Sequence, residues 1–311
     1  MPVALILLFF GSAFLMGRLL WLDFLLIRFF SILNVRYLSR EPQMQKIIIT
    51  GATGRMGRAL LTAVLANPQL VLVGAVVKAG SSLIGADVGE LIGQGRLGVV
   101  LSSDLHALLG PDTTIIDFTT PQATLAHLAV AAQHQASMVI GTTGFDAEQL
   151  LTLAAYSDRL PLVYAGNYSV GVNLSLQLLR LAARVMGPDS DIEIVEAHHR
   201  HKVDAPSGTA LMMGEAVADA LGQPLSELAV TDRAGKTGAR APGSIGFASL
   251  RAGDIVGEHT VLFAAEGERL EITHKASSRQ TFARGALKAA QWLAQKQTPG
   301  LFNMEDVLGF R

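Results

Sequence analysis

Cysteine is absent from all 311 residues, so no disulfide holds this chain together. A reducing cytosol fits that composition, although exported proteins also do without cysteine. Charge is scarce as well. Acidic and basic side chains make up 16% of the residues and cancel to a net −1, which gives no electrostatic case for a nucleic-acid partner. Aromatic residues reach only 6%, whereas 31 glycines suit an α/β enzyme with tight turns. There are no repeats and no low-complexity tracts. What remains is a chain that is half hydrophobic and long enough for two domains with a sizeable core.

The first 43 residues differ from everything after them. An apolar run from Val3 to Gly17 is followed by Arg18, Asp23 and Arg28 among further Leu and Phe. A signal peptide would need a basic region ahead of its apolar core, and residues 1–17 hold no Lys or Arg. A spanning helix needs about 20 apolar residues, and Arg18 interrupts the run before that. The preferred reading is that translation starts at Met44, directly before the first strand, and that 1–43 reflect a misassigned start. A membrane anchor is the first alternative and a cleaved signal the second, and only the anchor is a route to a membrane contact. The expected location is therefore cytoplasmic, or membrane-anchored under that alternative.

After Met44 the chain reads as alternating strands and helices. Gln45 to Thr50 is a short apolar strand, and Gly51-Ala52-Thr53-Gly54-Arg55-Met56-Gly57 leads from it into a helix over 58–65. Gly51 makes the turn, Gly54 lets backbone approach a pyrophosphate, and Gly57 packs helix against strand. The spacing is G-x-x-G-x-x-G, not G-x-G-x-x-G, so the flanking strand and helix carry the assignment of a dinucleotide loop. A second strand spans 70–77 and ends at Val77-Lys78, where such folds read the adenosine ribose. Further strands are expected at 97–101, 114–118, 138–140 and 161–165. Helices are expected at 103–109, 124–135, 147–156 and 172–186, with His127 and His134 as surface residues. Gly141-Thr142-Thr143-Gly144 and Gly166-Asn167-Tyr168-Ser169 are turns at strand ends. TGATG also opens short-chain and epimerase-type enzymes, but none of the four tyrosines has Lys four residues later, so that class lacks its catalytic base.

The richest stretch is Glu193 to Ala210, EIVEAHHRHKVDAPSGTA. A strand over 191–197 delivers His198 at its end, and Ser207-Gly208 starts a helix that Gly222 and Pro224 stop. The first N–H groups of a helix have no internal partner and carry partial positive charge, which suits a carboxylate. Gly208 allows close approach. His198 and His199 exchange protons near neutral pH, and Lys202 adds a cation that either donates a proton or holds an acid. A solvated basic loop is the plain alternative. Zinc is disfavoured, because His198, His199 and His201 lack an i, i+4 pair and no Cys is present. A nucleotide-sensing or membrane-tethered regulator rests on the apolar N-terminus alone and leaves this stretch unexplained.

This stretch resembles the signature of the 4-hydroxy-tetrahydrodipicolinate reductase (dihydrodipicolinate reductase) family, matching E-I-x-E-x-H-x-x-x-K-x-D-x-P-S-G-T-A at each fixed position. The resemblance runs from about Lys46 to the C-terminus. It implies a nicotinamide-dependent reduction of a cyclic dicarboxylate in diaminopimelate and lysine synthesis. His198 then acts as acid/base and Lys202 as proton donor, while His199, Gly208 and Thr209 bind substrate. Gly51 to Met56, Gly141 to Thr143 and Ala165 to Tyr168 line the cofactor site, with Lys78 beside the ribose; no metal is implied. The family commonly has an acidic residue where Val77 stands, so NADPH is the expected cofactor ahead of NADH.

The fold class that follows is α/β. A Rossmann-like parallel sheet over 44–169, completed by 279–311, carries an inserted α+β substrate and association domain over 170–278. In the insert, a polar Gly-rich loop over 231–244 precedes strands at 245–251, 258–265 and 270–276, read as an antiparallel sheet with one covered face. His259 and His274 are read as sheet residues rather than ligands. A helix over 281–297 closes the chain, and the resemblance implies a homotetramer.

Overall fold

The computed structural model describes residues 44–296 and 298–310; the expectations for residues 1–43 lie outside them. Within the first strand, β1 (Gln45–Thr50), side chains alternate. Ile47 and Ile49 enter one core with Leu60 and Leu61, while Ile48 enters another with Leu128, Met138 and Leu162. Burial on both faces is the condition of an all-parallel sheet. β1 is followed by α1 (Arg55–Leu65), β2 (Leu70–Val76), β3 (Leu101–Ser102), β4 (Thr113–Asp117), α2 (Pro121–His134), β5 (Ser137–Ile140), α3 (Ala147–Tyr156) and β6 (Pro161–Tyr164). β1 pairs in parallel with β2 on one side and β4 on the other, so the order of strands reverses there and opens a crevice above their C-terminal ends.

Among the boundaries that differ from expectation, two have clear local reasons. The strand expected over 97–101 shrinks to β3, because the Asp87 carboxylate accepts from the N–H groups of Gly89, Leu97 and Gly98 and wraps the chain around itself. α1 begins three residues before the expected position, since Gly54 is already its N-cap.

The second sheet follows α4 (Val170–Met186) and comprises β7 (Asp191–His198), β8 (Ala229–Val230), β9 (Ile245–Arg251), β10 (Gly257–Ala265) and β11 (Glu268–Ala276), in the order β11-β10-β7-β9-β8. It is mixed rather than antiparallel. β9 lies parallel to β7 because α5 (Gly208–Leu221) lies between them in the chain and carries it back, whereas β10 and β11 form a hairpin. Residues of α4 and α5, including Leu179, Met213 and Val217, cover one face against Ile192, Ile194, Val261 and Phe263. The opposite face carries Val195, Leu250, Thr260 and Leu262, of which Leu250 is 54% exposed.

The chain then returns to the first sheet. Ala283, Ala286 and Ala290 of α6 (Gln280–Leu293) pack into the core of Ile47 and Leu60, as the resemblance implied for the closing helix. β12 (Gly300–Phe302), a three-residue strand without a sequence signal of its own, adds to β6 and completes the order β12-β6-β5-β4-β1-β2-β3. Among the described residues, no helix is long and apolar enough to cross a membrane.

Candidate active site

The alternation of β7 sets up the site. Ile192, Ile194, Glu196 and His198 all face inward, so the covered side of this strand passes from apolar to ionisable at its C-terminal end. Glu196 is 1% exposed and its two oxygens are fully engaged. Oε2 lies 2.6 Å from His198 Nδ1 and accepts from Arg251 Nη1 at 2.8 Å. Oε1 accepts from Arg251 Nη2 at 2.7 Å and from the Ser207 N–H at 3.2 Å. Arg251 arrives because the parallel register places it opposite His198 on β9, and its Nη2 also donates to the Asp204 carbonyl at 2.6 Å.

Burial disfavours the charge on Glu196, but donation from Arg251, Ser249 and His198 outweighs it and brings the carboxyl down to about 2. His198 is shifted below the ordinary imidazole value. Burial is the main cause, Glu196 opposes it, and the charges of Lys202 and Arg251 reinforce it. His259, from β10, stands edge-on to His198 with ring centroids 5.1 Å apart, and its Nε2 lies 2.9 Å from Ser207 Oγ. Burial pushes His259 down to about 4, so it is neutral at physiological pH. Glu196 was readable in the sequence, two residues before His198 and therefore on the same face. Arg251 was not, because strand register is not local information. His259 is a core residue, as read, but one that lies against the acid/base candidate.

The loop after β7 brings the other candidates to the same place. Ser207 caps α5, its Oγ accepting from the Ala210 N–H at 3.1 Å, and Gly208 is exposed with open space where a side chain would stand. Lys202 Nζ pairs with the Asp204 carboxylate at 2.8 Å. His199 is half-buried, and its buried Nδ1 has no hydrogen-bond partner among the described residues. Thr209 Oγ1 accepts from Asn167 Nδ2 at 3.0 Å, a direct link from this turn to the Gly166-Asn167 loop at the end of β6.

The dinucleotide-loop candidates sit at the reversal point of the first sheet. Gly51 adopts φ +62, and a Cβ there would come within 2.8 Å of Thr119 Cγ2. Gly54 caps α1 without a side-chain hydrogen bond, the first turn holds no acidic residue, and Arg55 is exposed beside it. A glycine-lined helix start with free N–H groups and no competing carboxylate fits a pyrophosphate. Thr53, Met56 and Gly141 are partly exposed, and Thr143 and Gly166 are exposed.

Three of the proposed cofactor residues do not present side chains. Ala52 is fully buried in the core. Thr142 is 2% exposed, and its hydroxyl donates to Asp117 at 3.0 Å. Tyr168 is 1% exposed, with its phenol shared between the carbonyls of Ile140 at 2.9 Å and Val163 at 3.0 Å. All three residues are almost wholly enclosed in this structure. Ala165 is half-buried and packs against the core.

Asp117, at the end of β4, was not singled out in the sequence, yet it organises the crevice floor. Its Oδ1 accepts from Thr119, Thr124 and Thr142, and its Oδ2 lies 2.5 Å from His127 Nδ1. His127 is therefore not simply a surface residue; His134, further along α2, is partly exposed and lies 3.2 Å from His106 Nδ1. Burial raises the Asp117 pKa, but donation from His127 and the threonines outweighs that, and the carboxyl ends below its usual range.

Comparison with known proteins decides the kinship. Family models described as the N-terminus and the C-terminus of dihydrodipicolinate reductase match residues 45–168 and 171–308. The chain belongs to the dihydrodipicolinate reductase family. A curated 4-hydroxy-tetrahydrodipicolinate reductase from Chromohalobacter salexigens is 56% identical over 269 residues, which cover 86% of this chain and all of the relative. A solved dihydrodipicolinate reductase from Paenisporosarcina sp. TG-14, bound to dipicolinate, superposes with a TM-score of 0.66 at 25% identity, covering 84% of this chain and 97% of that one. GenD2 from gentamicin A biosynthesis, in complex with NAD, shares the fold at a TM-score of 0.57 and 15% identity, covering 87% and 92% of the two chains. As a member of the dihydrodipicolinate reductase family the chain is an oxidoreductase, with a Rossmann-like sheet and a second, mixed sheet.

Proposed function

We infer that the chain catalyses the NAD(P)H-dependent reduction of 4-hydroxy-tetrahydrodipicolinate to tetrahydrodipicolinate, with loss of water, in diaminopimelate and lysine synthesis. The observation that carries this is the convergence of His198, Lys202 and the start of α5 on one loop, within a chain that matches a relative of that name along the relative's full length. A reduced nicotinamide, when bound, supplies the hydride. The chain's own residues do the rest. The glycine turn at Gly51 to Gly57 holds the pyrophosphate, with Gly141, Thr143 and the 165–167 loop near the nicotinamide. His199, Lys202 and the N–H groups at Gly208-Thr209 hold the carboxylates, and His198 or Lys202 moves the proton that follows hydride. Lys202 must leave or share Asp204 to do so. The domain over 44–169 with 279–311 serves the cofactor, the insert over 170–278 serves the substrate, and its open sheet face joins protomers into a homotetramer. The location is cytoplasmic. The deciding assay is substrate-dependent oxidation of reduced cofactor by the purified protein, and no oxidation would overturn the reading.

A chain starting at Met44 is expected to fold and keep full activity, because β1 and each proposed site residue lie beyond that point. An insoluble or inactive truncated protein would count against the preferred start.

NADPH is expected to serve with higher catalytic efficiency than NADH. The Val77 side chain is buried in the core, so the end of β2 offers a ribose no acceptor and repels no 2′-phosphate, while Lys78 is exposed beside it. A single exposed ammonium contributes about 1 kcal/mol or less, so Lys78→Ala should narrow the gap by about fivefold at most. Equal or better efficiency with NADH would contradict this.

A further inference from the structure

We propose that Glu196, clamped by Arg251, is a positioning residue that holds the His198 ring as its Nδ1–H tautomer and leaves Nε2 as the atom that exchanges a proton with substrate. The inference rests on the reading of His198 as acid/base. An ionised carboxylate has no proton to donate, so the 2.6 Å contact with Glu196 requires the hydrogen on Nδ1. The other lone pairs of Glu196 are taken by two Arg251 nitrogens and the Ser207 N–H, which stops the carboxylate rotating away from the ring. Gly257 lies beside the far edge of the imidazole and spares it a side chain, since a Cβ there would stand only 3.1 Å from His198 Nε2.

The groups facing His198 are Glu196 on its own strand, Lys202 in the following loop, itself paired with Asp204, Arg251 on β9 and His259 on β10. Lys202 and Arg251 oppose a charge on the ring, and His259 stays neutral. Glu196 favours it. When Nε2 takes a proton, the new charge therefore meets a carboxylate already fixed against Nδ1. Glu196 does not take the proton itself, because hydrogen bonds from Arg251 and Ser249 keep it ionised.

The test uses the full chain with 15N-labelled histidine, the His198 signals being identified by their loss in His198→Asn. In the wild type the ring is expected to show one tautomer, protonated at Nδ1. In Glu196→Gln, which keeps size and an acceptor oxygen but removes the charge, the tautomers should mix and the His198 titration midpoint should fall by about one pH unit or more. Turnover should fall at least about tenfold with the Michaelis constant nearly unchanged. Glu196→Asp keeps the charge, and its midpoint should stay closer to the wild type than that of Glu196→Gln. A wild-type ring protonated at Nε2 overturns the proposal without any variant, and so does a folded Glu196→Gln with an unchanged midpoint and tautomer. Failure of the wild-type protein to oxidise reduced cofactor with substrate would instead overturn the functional reading, and the tautomer measurement would still judge Glu196.

Discussion

His198→Ala will lower turnover by about 10²- to 10⁴-fold, the range for losing a positioned general acid or base, while cofactor affinity stays near that of the wild type. The size of the effect follows from the surroundings of the ring. His198 is buried at the end of β7 with Glu196 against its Nδ1 and Gly257 close beside its Nε2. His259 lies too deep and stays neutral, and Lys202 is tied to Asp204. Steady-state kinetics beside a direct measure of cofactor binding checks both halves. Activity within tenfold of wild type would remove His198 from the mechanism.

The second large effect is on folding. Gly285 lies in the middle of α6, where that helix meets the backbone of Tyr168 in the loop after β6. A Cβ at this position would stand 1.7 Å from the Tyr168 carbonyl oxygen. The clash is with main chain, so no rotamer change relieves it. Either α6 lifts from the core that it shares with Ile47 and Leu60, or the Asn167-Tyr168 segment moves. Overpacking a core costs about 1 to 3 kcal/mol, and a contact this short belongs at the upper end. Gly285→Ala should therefore lower the melting temperature by about 6 °C or more, since 1 kcal/mol corresponds to about 2 to 4 °C at this size. It should also weaken cofactor binding, through displacement of the 165–168 loop. A variant that melts within 2 °C of wild type would show that the helix and loop yield without cost.

The parts of the molecule legible in the sequence are those fixed by neighbours along the chain. β1 and its glycine turn, the cap at Ser207 and the stop at Gly222 follow from local pattern, and each stands at or beside its expected place. The parts that were not legible depend on register between distant segments. β7 and β9 are parallel because of how α5 returns the chain, and that register alone brings Arg251 to Glu196. Asp117 gathers its donors from the turn after β4, from α2 and from the turn after β5, so no single stretch announces it. Tyr168 was placed at the cofactor site by the resemblance alone, and local pattern gave no sign that its phenol is spent on the carbonyls of Ile140 and Val163.

The hydrogen bond from Asn167 to Thr209 joins two segments that belong to different sheets and are proposed to meet different ligands. A molecule that draws the 165–167 loop toward itself therefore also sets the position of the Thr209 hydroxyl, and the reverse holds from the other side. Whatever free energy a bound nucleotide lends to dicarboxylate binding through this contact, the dicarboxylate returns in equal measure to the nucleotide. A nucleotide and a dicarboxylate bound as proposed would in that sense be each other's effectors, and the order in which they arrive would leave the total unchanged.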